Sequence, residues 1–176
     1  MQKEIIFTGL CFWSTQAIFQ KIKGINFSEC GYYNIDNFDF AWEKDDKIES
    51  VLIRYDSSIV SLDTLLDIYF LTHNPSLISW EKEECIYPLC RPAIFCFEKE
   101  VFDMVSSKIE TLKISYTEPF YTKVLFADKE SFQKASEYDQ DFYKKKPNEY
   151  FSCSNIQTKL EKVKDKFPDF FLNNNA

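Results

Sequence analysis

A sheet with helices packed on it, of the α+β or α/β class, is predicted by three observations. Short apolar or alternating runs alternate with helical ones along the chain. Capping and breaking residues stand where those runs stop, as at Gly24, Ser61 and His73-Asn74-Pro75. Finally, 45% of the 176 residues are hydrophobic, 18 Phe and 10 Tyr among them, enough to fill one sizeable core.

The first strand is expected over 4–8. A helix follows over 11–21, with Trp13, Ala17, Ile18 and Ile22 on one stripe and Gly24 near its C-cap. Residues 25–33 and 48–55 read as strands, the second alternating Val51, Ile53 and Tyr55 against Leu52 and Arg54. Between them the chain is polar and irregular apart from Phe38, Phe40 and Trp42. Ser61 is placed to N-cap a helix through Thr72, in which Leu62, Leu65, Leu66, Tyr69 and Phe70 make a broad apolar face. After a loop to about Cys90, the run Ala93-Ile94-Phe95-Cys96-Phe97 reads as a central strand. A helix over 98–112, a strand over 121–126 and a helix over 130–144 follow, with a short helix near 156–165. One domain over 1–155 and a tail over 156–176 are expected, the tail ending in polar Asn173-Asn174-Asn175-Ala176.

The net charge of −7 and the lack of a basic patch speak against nucleic acid as a partner, and Lys144-Lys145-Lys146 reads as a solvated face. No run approaches the roughly 20 apolar residues of a membrane span, and Met1-Gln2-Lys3-Glu4 leads straight into a strand rather than a signal peptide. A soluble, cytoplasmic protein with no membrane partner is expected. In that compartment the six cysteines (11, 30, 85, 90, 96 and 153) are buried, redox-active or metal-binding rather than a disulfide framework. Metal ligation has little support, because His73 is the one histidine and Cys85-x4-Cys90 supplies at most two of four ligands. No metal and no cofactor are expected.

Chemistry points to Cys11 in Gly9-Leu10-Cys11-Phe12-Trp13, where the first strand gives way to the first helix. A thiol there meets unpaired backbone N–H groups and the positive end of the helix dipole, both of which favour a thiolate. Phe12 and Trp13 are placed to wall an apolar pocket beside the sulfur. The plainer alternative is a small buried hydrophobe.

Gly-x-Cys-Phe-Trp after a short strand resembles the nucleophile motif of the type A methionine sulfoxide reductases, which reduce the S epimer of methionine sulfoxide. Further matches keep the family order from residue 4 to about 155. Lys23-Gly24-Ile25 and Cys30-Gly31-Tyr32 resemble its turn and Gly-Tyr step. Glu49-Ser50-Val51-Leu52-Ile53-Arg54-Tyr55-Asp56 is similar to its Glu-x-Val-x-x-x-Tyr-Asp strand. His73-Asn74-Pro75, Arg91-Pro92-Ala93-Ile94 and Asp139-Gln140-Asp141-Phe142-Tyr143 through Pro147 follow as likenesses of later motifs.

The resemblance implies a two-layer α+β sandwich around a mixed sheet, with a ferredoxin-like core. It also implies reduction of methionine S-sulfoxide, free or in proteins, with no cofactor. Cys11 would attack the sulfoxide sulfur and Glu49 would protonate the departing oxygen, which needs a pKa raised by apolar surroundings. Phe12 and Trp13 would hold the S-methyl group. Cys153 would resolve the resulting sulfenic acid as a disulfide, for thioredoxin or another dithiol to reduce. In the oxygen-binding loop Cys85 and Cys90 stand where the family has Asp and Tyr, leaving Glu84 or Tyr87 as stand-ins, and Phe38 occupies a second family Tyr position. Two other roles for the same scaffold stay open: a catalytically impaired relative that binds methionine-containing or apolar peptides, and a thiol redox protein acting on disulfides or peroxides.

Overall fold

The computed structural model describes residues 1–35, 47–76, 91–147 and 155–172. Six strands make one sheet: β1 (Gln2–Thr8), β2 (Ile25–Asn34), β3 (Lys47–Asp56), β4 (Ala93–Cys96), β5 (Lys123–Phe126) and β6 (Phe132–Lys134). Their order is β5-β4-β1-β3-β2-β6. β4 and β5 run parallel and the other neighbours antiparallel, so the sheet is mixed.

The period of two sorts the apolar residues between two faces. Ile5, Phe7, Val51, Ile53 and Ile94 pack with Ile18 and Phe19 of α1 (Phe12–Phe19), and with Leu65, Leu66 and Tyr69 of α2 (Leu62–Thr72). Val101, Val105 and Ile109 of α3 (Lys99–Ser115) and Leu160 and Val163 of α5 (Ile156–Lys166) join the same cluster, so the helices form one layer. The alternate residues Ile6, Tyr33, Ile48, Ala93 and Phe95 fill a smaller core on the other face. This is the α+β architecture the sequence predicts. Each large apolar side chain buried here contributes roughly 1.5–3 kcal/mol.

The helix and strand positions follow their local signals. Ser61 caps α2 by accepting the Thr64 N–H at 3.1 Å, and extended backbone at His73 ends it. Lys129–Ser131 is a 3-10 turn, followed by β6 and then the single turn α4 (Phe142–Lys145), where one helix was expected over 130–144. The helix-forming residues there yield to tertiary pairing: Gly31, Tyr32 and Tyr33 of β2 take Lys134, Gln133 and Phe132 as antiparallel partners. Gly31 makes room for this. A Cβ on it would sit 2.6 Å from the Gln133 carbonyl oxygen and collide with the Phe132 ring. Gly31→Ala is therefore expected to lower stability by about 1–3 kcal/mol, as overpacking does; a urea unfolding midpoint equal to that of the unsubstituted protein would contradict this.

Two further contacts fix the end of β1, where the nucleophile motif begins. The Thr8 hydroxyl donates to the Arg91 carbonyl and accepts the Ala93 N–H at 2.7 Å, while Tyr69 of α2 donates its hydroxyl to the Thr8 carbonyl at 2.9 Å. Gly9 then turns the chain at φ +98°, and a Cβ on it would lie 2.8 Å from Pro92 Cα. Only glycine combines that φ with that approach. Below Tyr69, His73 gives its Nδ1 hydrogen to the Tyr69 carbonyl at 2.8 Å, and burial lowers its pKa to about 4, so it stays neutral.

Residues 156–172, set off as a tail in the sequence, include α5 and a return to the segment that follows α1. The Lys23 N–H donates to the Phe170 carbonyl and the Leu172 N–H to the Lys21 carbonyl, each at 2.7 Å.

Candidate active site

The Gly9 turn delivers Cys11 to the N-cap of α1, where the residue is buried, 6% exposed. Its carbonyl begins the helix by accepting the N–H groups of Ser14 and Thr15 at 3.0 and 3.2 Å. The next residue, Phe12, is held at both ends of its peptide. Its N–H donates to Glu49 Oε2 at 3.1 Å, and its carbonyl accepts the Cys30 thiol at 3.4 Å. The carboxyl of Glu49 thus binds one of the N–H groups that a helix leaves unpaired, one residue from the sulfur.

Glu49 stands on the helix-facing side of β3, two residues before Val51. Burial raises its pKa from 4.5 to about 7; the hydrogen bond from Phe12 pulls the other way, and the Asp139 charge adds to the rise. Near neutrality this carboxyl is therefore divided between acid and base. Burial also drives the Cys30 thiol far above its usual range, with further upward contributions from Cys11, Asp139, Glu49 and Asp141. Cys30 is a hydrogen-bond donor at the site's floor rather than a thiolate.

The aromatic residues also converge. Phe12 is buried with its ring 5.8 Å from Trp13 and 5.5 Å from Tyr32. Trp13 stacks on Phe142 of α4 at 4.2 Å. Gln140 fastens this last segment to the sheet: its side-chain amide accepts the Cys30 N–H at 2.9 Å and donates to the Cys30 carbonyl at 2.8 Å. It imitates a neighbouring strand where β6 has ended.

The structure thus brings together Cys11, Phe12, Trp13 and Glu49 from the sequence-based set. Phe38, Tyr87 and Cys153, with Glu84, Cys85 and Cys90, lie outside the described residues. Tyr32, Asp139 and Phe142 are neighbours to which the sequence assigned no role at the site. Tyr32 could have been found from the pairing of its strand, because register places it directly opposite Glu49. Among the described residues, no group of three His, Cys, Asp or Glu could hold a metal ion, and no helix is long and apolar enough to cross a membrane.

A helix-capping cysteine beside a carboxyl poised between acid and base is the equipment of a thiol-dependent oxidoreductase. The profile described as peptide methionine sulfoxide reductase matches residues 3–170. The chain belongs to that family. It is 29% identical over 177 residues to the peptide methionine sulfoxide reductase MsrA of Pasteurella multocida, covering 97% of this chain and 99% of that one. In fold it is similar to reduced Mxr1 from Saccharomyces cerevisiae, with a TM-score of 0.72 at 19% identity over 86% of this chain and 89% of that one. Mxr1 in complex with Trx2 shares the fold too, at a TM-score of 0.56 and 17% identity, over 80% of this chain and 84% of that one.

Proposed function

We propose that this chain reduces the S epimer of methionine sulfoxide, free or in peptides, with Cys11 as nucleophile and Glu49 as general acid. The observation that carries this reading is the Glu49 carboxyl, hydrogen-bonded to the amide that follows Cys11 and raised to about 7. A sulfoxide oxygen cannot leave as oxide, so a proton must be available at neutral pH within reach of the thiol. Neutral Glu49 also places no negative charge beside a thiolate.

In the first step the Cys11 thiolate attacks the sulfoxide sulfur and Glu49 gives its proton to the oxygen. Oxygen passes to Cys11, leaving methionine and a cysteine sulfenic acid. A second thiol, for which we propose Cys153, then attacks that sulfenic sulfur; a disulfide forms and water departs. Thioredoxin or another dithiol reduces the disulfide and restores both thiols. Support for this reductant comes from the fold shared with Mxr1, which has been solved in complex with Trx2. Phe12 and Trp13 supply the apolar wall for the S-methyl group. A reducing compartment such as the cytoplasm suits Cys30 and Cys96, which are buried outside any disulfide.

Dithiothreitol-driven reduction of a peptide carrying separated S or R methionine sulfoxide tests the reading. Methionine is expected from the S epimer only. Turnover of neither epimer, with Cys11 still open to alkylation, would assign the thiol to another task.

A further inference from the structure

We propose that Thr8 is a positioning residue for sulfoxide reduction: its hydroxyl ties the turn that carries Cys11 to the Arg91–Ala93 backbone and keeps the thiol in register with the Glu49 carboxyl. The proposal rests on the reductase reading above. Attack on sulfur and delivery of the proton require thiol and carboxyl in one arrangement, and a displacement of about 1 Å can cost as much as 100-fold in rate. Only Gly9 and Leu10 separate Cys11 from Thr8. Glycine leaves the backbone a wide choice of conformations, so the turn must be anchored on either side of it.

Thr8 stands where two ladders end. On one side it pairs with Ser50, the residue after Glu49. On the other, β1 pairs with β4 as far as Phe7 and Ile94, and the same register carried on would set Thr8 opposite Ala93. There the side chain takes over from the main chain. Its hydroxyl accepts the Ala93 N–H at 2.7 Å and donates to the Arg91 carbonyl. Pro92, between the two residues so gripped, lies against Gly9 too closely to admit a Cβ. Thr8 is 1% exposed, and its carbonyl takes the hydroxyl hydrogen of Tyr69 at 2.9 Å. Tyr69 is itself fully buried, with its ring stacked 4.7 Å from Phe7. Beyond Cys11, the Phe12 N–H reaches Glu49 at 3.1 Å. The nucleophile is thus suspended between two anchors, and both lead to β3: Thr8 through Ser50, Phe12 through Glu49.

Thr8→Val keeps the shape of the side chain but leaves the buried Ala93 N–H without its acceptor. With the S-sulfoxide peptide and dithiothreitol, its kcat is expected to fall about 10-fold with little change in KM. Thr8→Ser restores the hydroxyl and is expected to return kcat to within threefold of wild type. Hydrogen exchange gives a readout independent of turnover: in Thr8→Val the Phe12 amide is expected to quicken about 10-fold more than that of Val51 in the middle of β3, which reports global opening. A lower melting temperature with kcat within threefold of wild type would overturn the role, leaving Thr8 a purely structural residue. Failure of Thr8→Ser to recover the rate would overturn it as well. If Thr8→Val is unfolded at the assay temperature, Tyr69→Phe decides, because it removes the donor to the Thr8 carbonyl and keeps the ring on Phe7. A kcat within threefold of wild type in that variant overturns the proposal, and a larger loss at unchanged KM upholds it. Absence of S-epimer turnover in the wild-type protein would overturn the reductase reading, while Phe12 exchange would still show whether Thr8 holds the turn.

Discussion

Cys11→Ser is expected to give a folded protein that forms no methionine from the S-sulfoxide above background, a loss of roughly 10⁴-fold or more, as when a nucleophile is removed. A serine hydroxyl ionises far above neutral pH and cannot take up the oxygen as a sulfenic acid. Folding should survive the change. Cys11 is the N-cap of α1 but makes no side-chain cap hydrogen bond, whereas serine is a favoured cap residue. A melting temperature equal to or above that of the wild type, together with lost turnover, separates chemistry from stability. Comparable methionine formation by Cys11→Ser and wild type would remove Cys11 from the mechanism.

Glu49→Gln is expected to move activity and stability in opposite directions. Loss of the acid should slow sulfoxide reduction by about 10²–10⁴-fold. The hydrogen bond from Phe12 can persist, because the glutamine carbonyl accepts as a carboxylate does. Stability gains come from removing a buried charge. The unfolded chain releases the Glu49 proton through pH 4.5 and the folded chain only through about 7. Stability from this group is therefore complete below pH 4.5 and lost as pH rises through 7, a difference of about 3 kcal/mol. Denaturant titrations should show Glu49→Gln more stable than wild type at pH 8, with the gap closing at pH 4–5. A gap independent of pH would mean that Glu49 titrates normally. The wild-type rate should decline as pH rises through about 7, following the fraction of Glu49 that holds its proton.

Most elements were readable in the sequence because their signals are local. The alternation in β3, the Ser61 cap and the apolar run of β4 each report on their own residues. Cys11, Phe12 and Trp13 were legible as one motif, and Glu49 through a resemblance spread along the chain. What remained hidden depends on partners far away in sequence. Residues 130–144 read as helical because nothing near them announces that β2 needs an edge partner or that Gly31 has space for Phe132. The raised pKa of Glu49 arises from burial against α1, and the place of Tyr32 beside it arises from strand register, which a single strand does not encode. Gln140 could be matched to a motif, but its use as a substitute strand partner for Cys30 could not be inferred from its sequence neighbours.

The Gln140 bridge bears on the order in which the molecule acquires function. It joins positions 110 residues apart, and the Trp13–Phe142 stack spans a still longer stretch of chain. Such long loops are costly to close until the contacts within them have formed, so these pairings belong late in folding. As the chain leaves the ribosome, the nucleophile is made early, but the wall beside it is completed only once residue 142 has emerged. An incomplete chain therefore carries its cysteine before it has an enclosed site in which to use it.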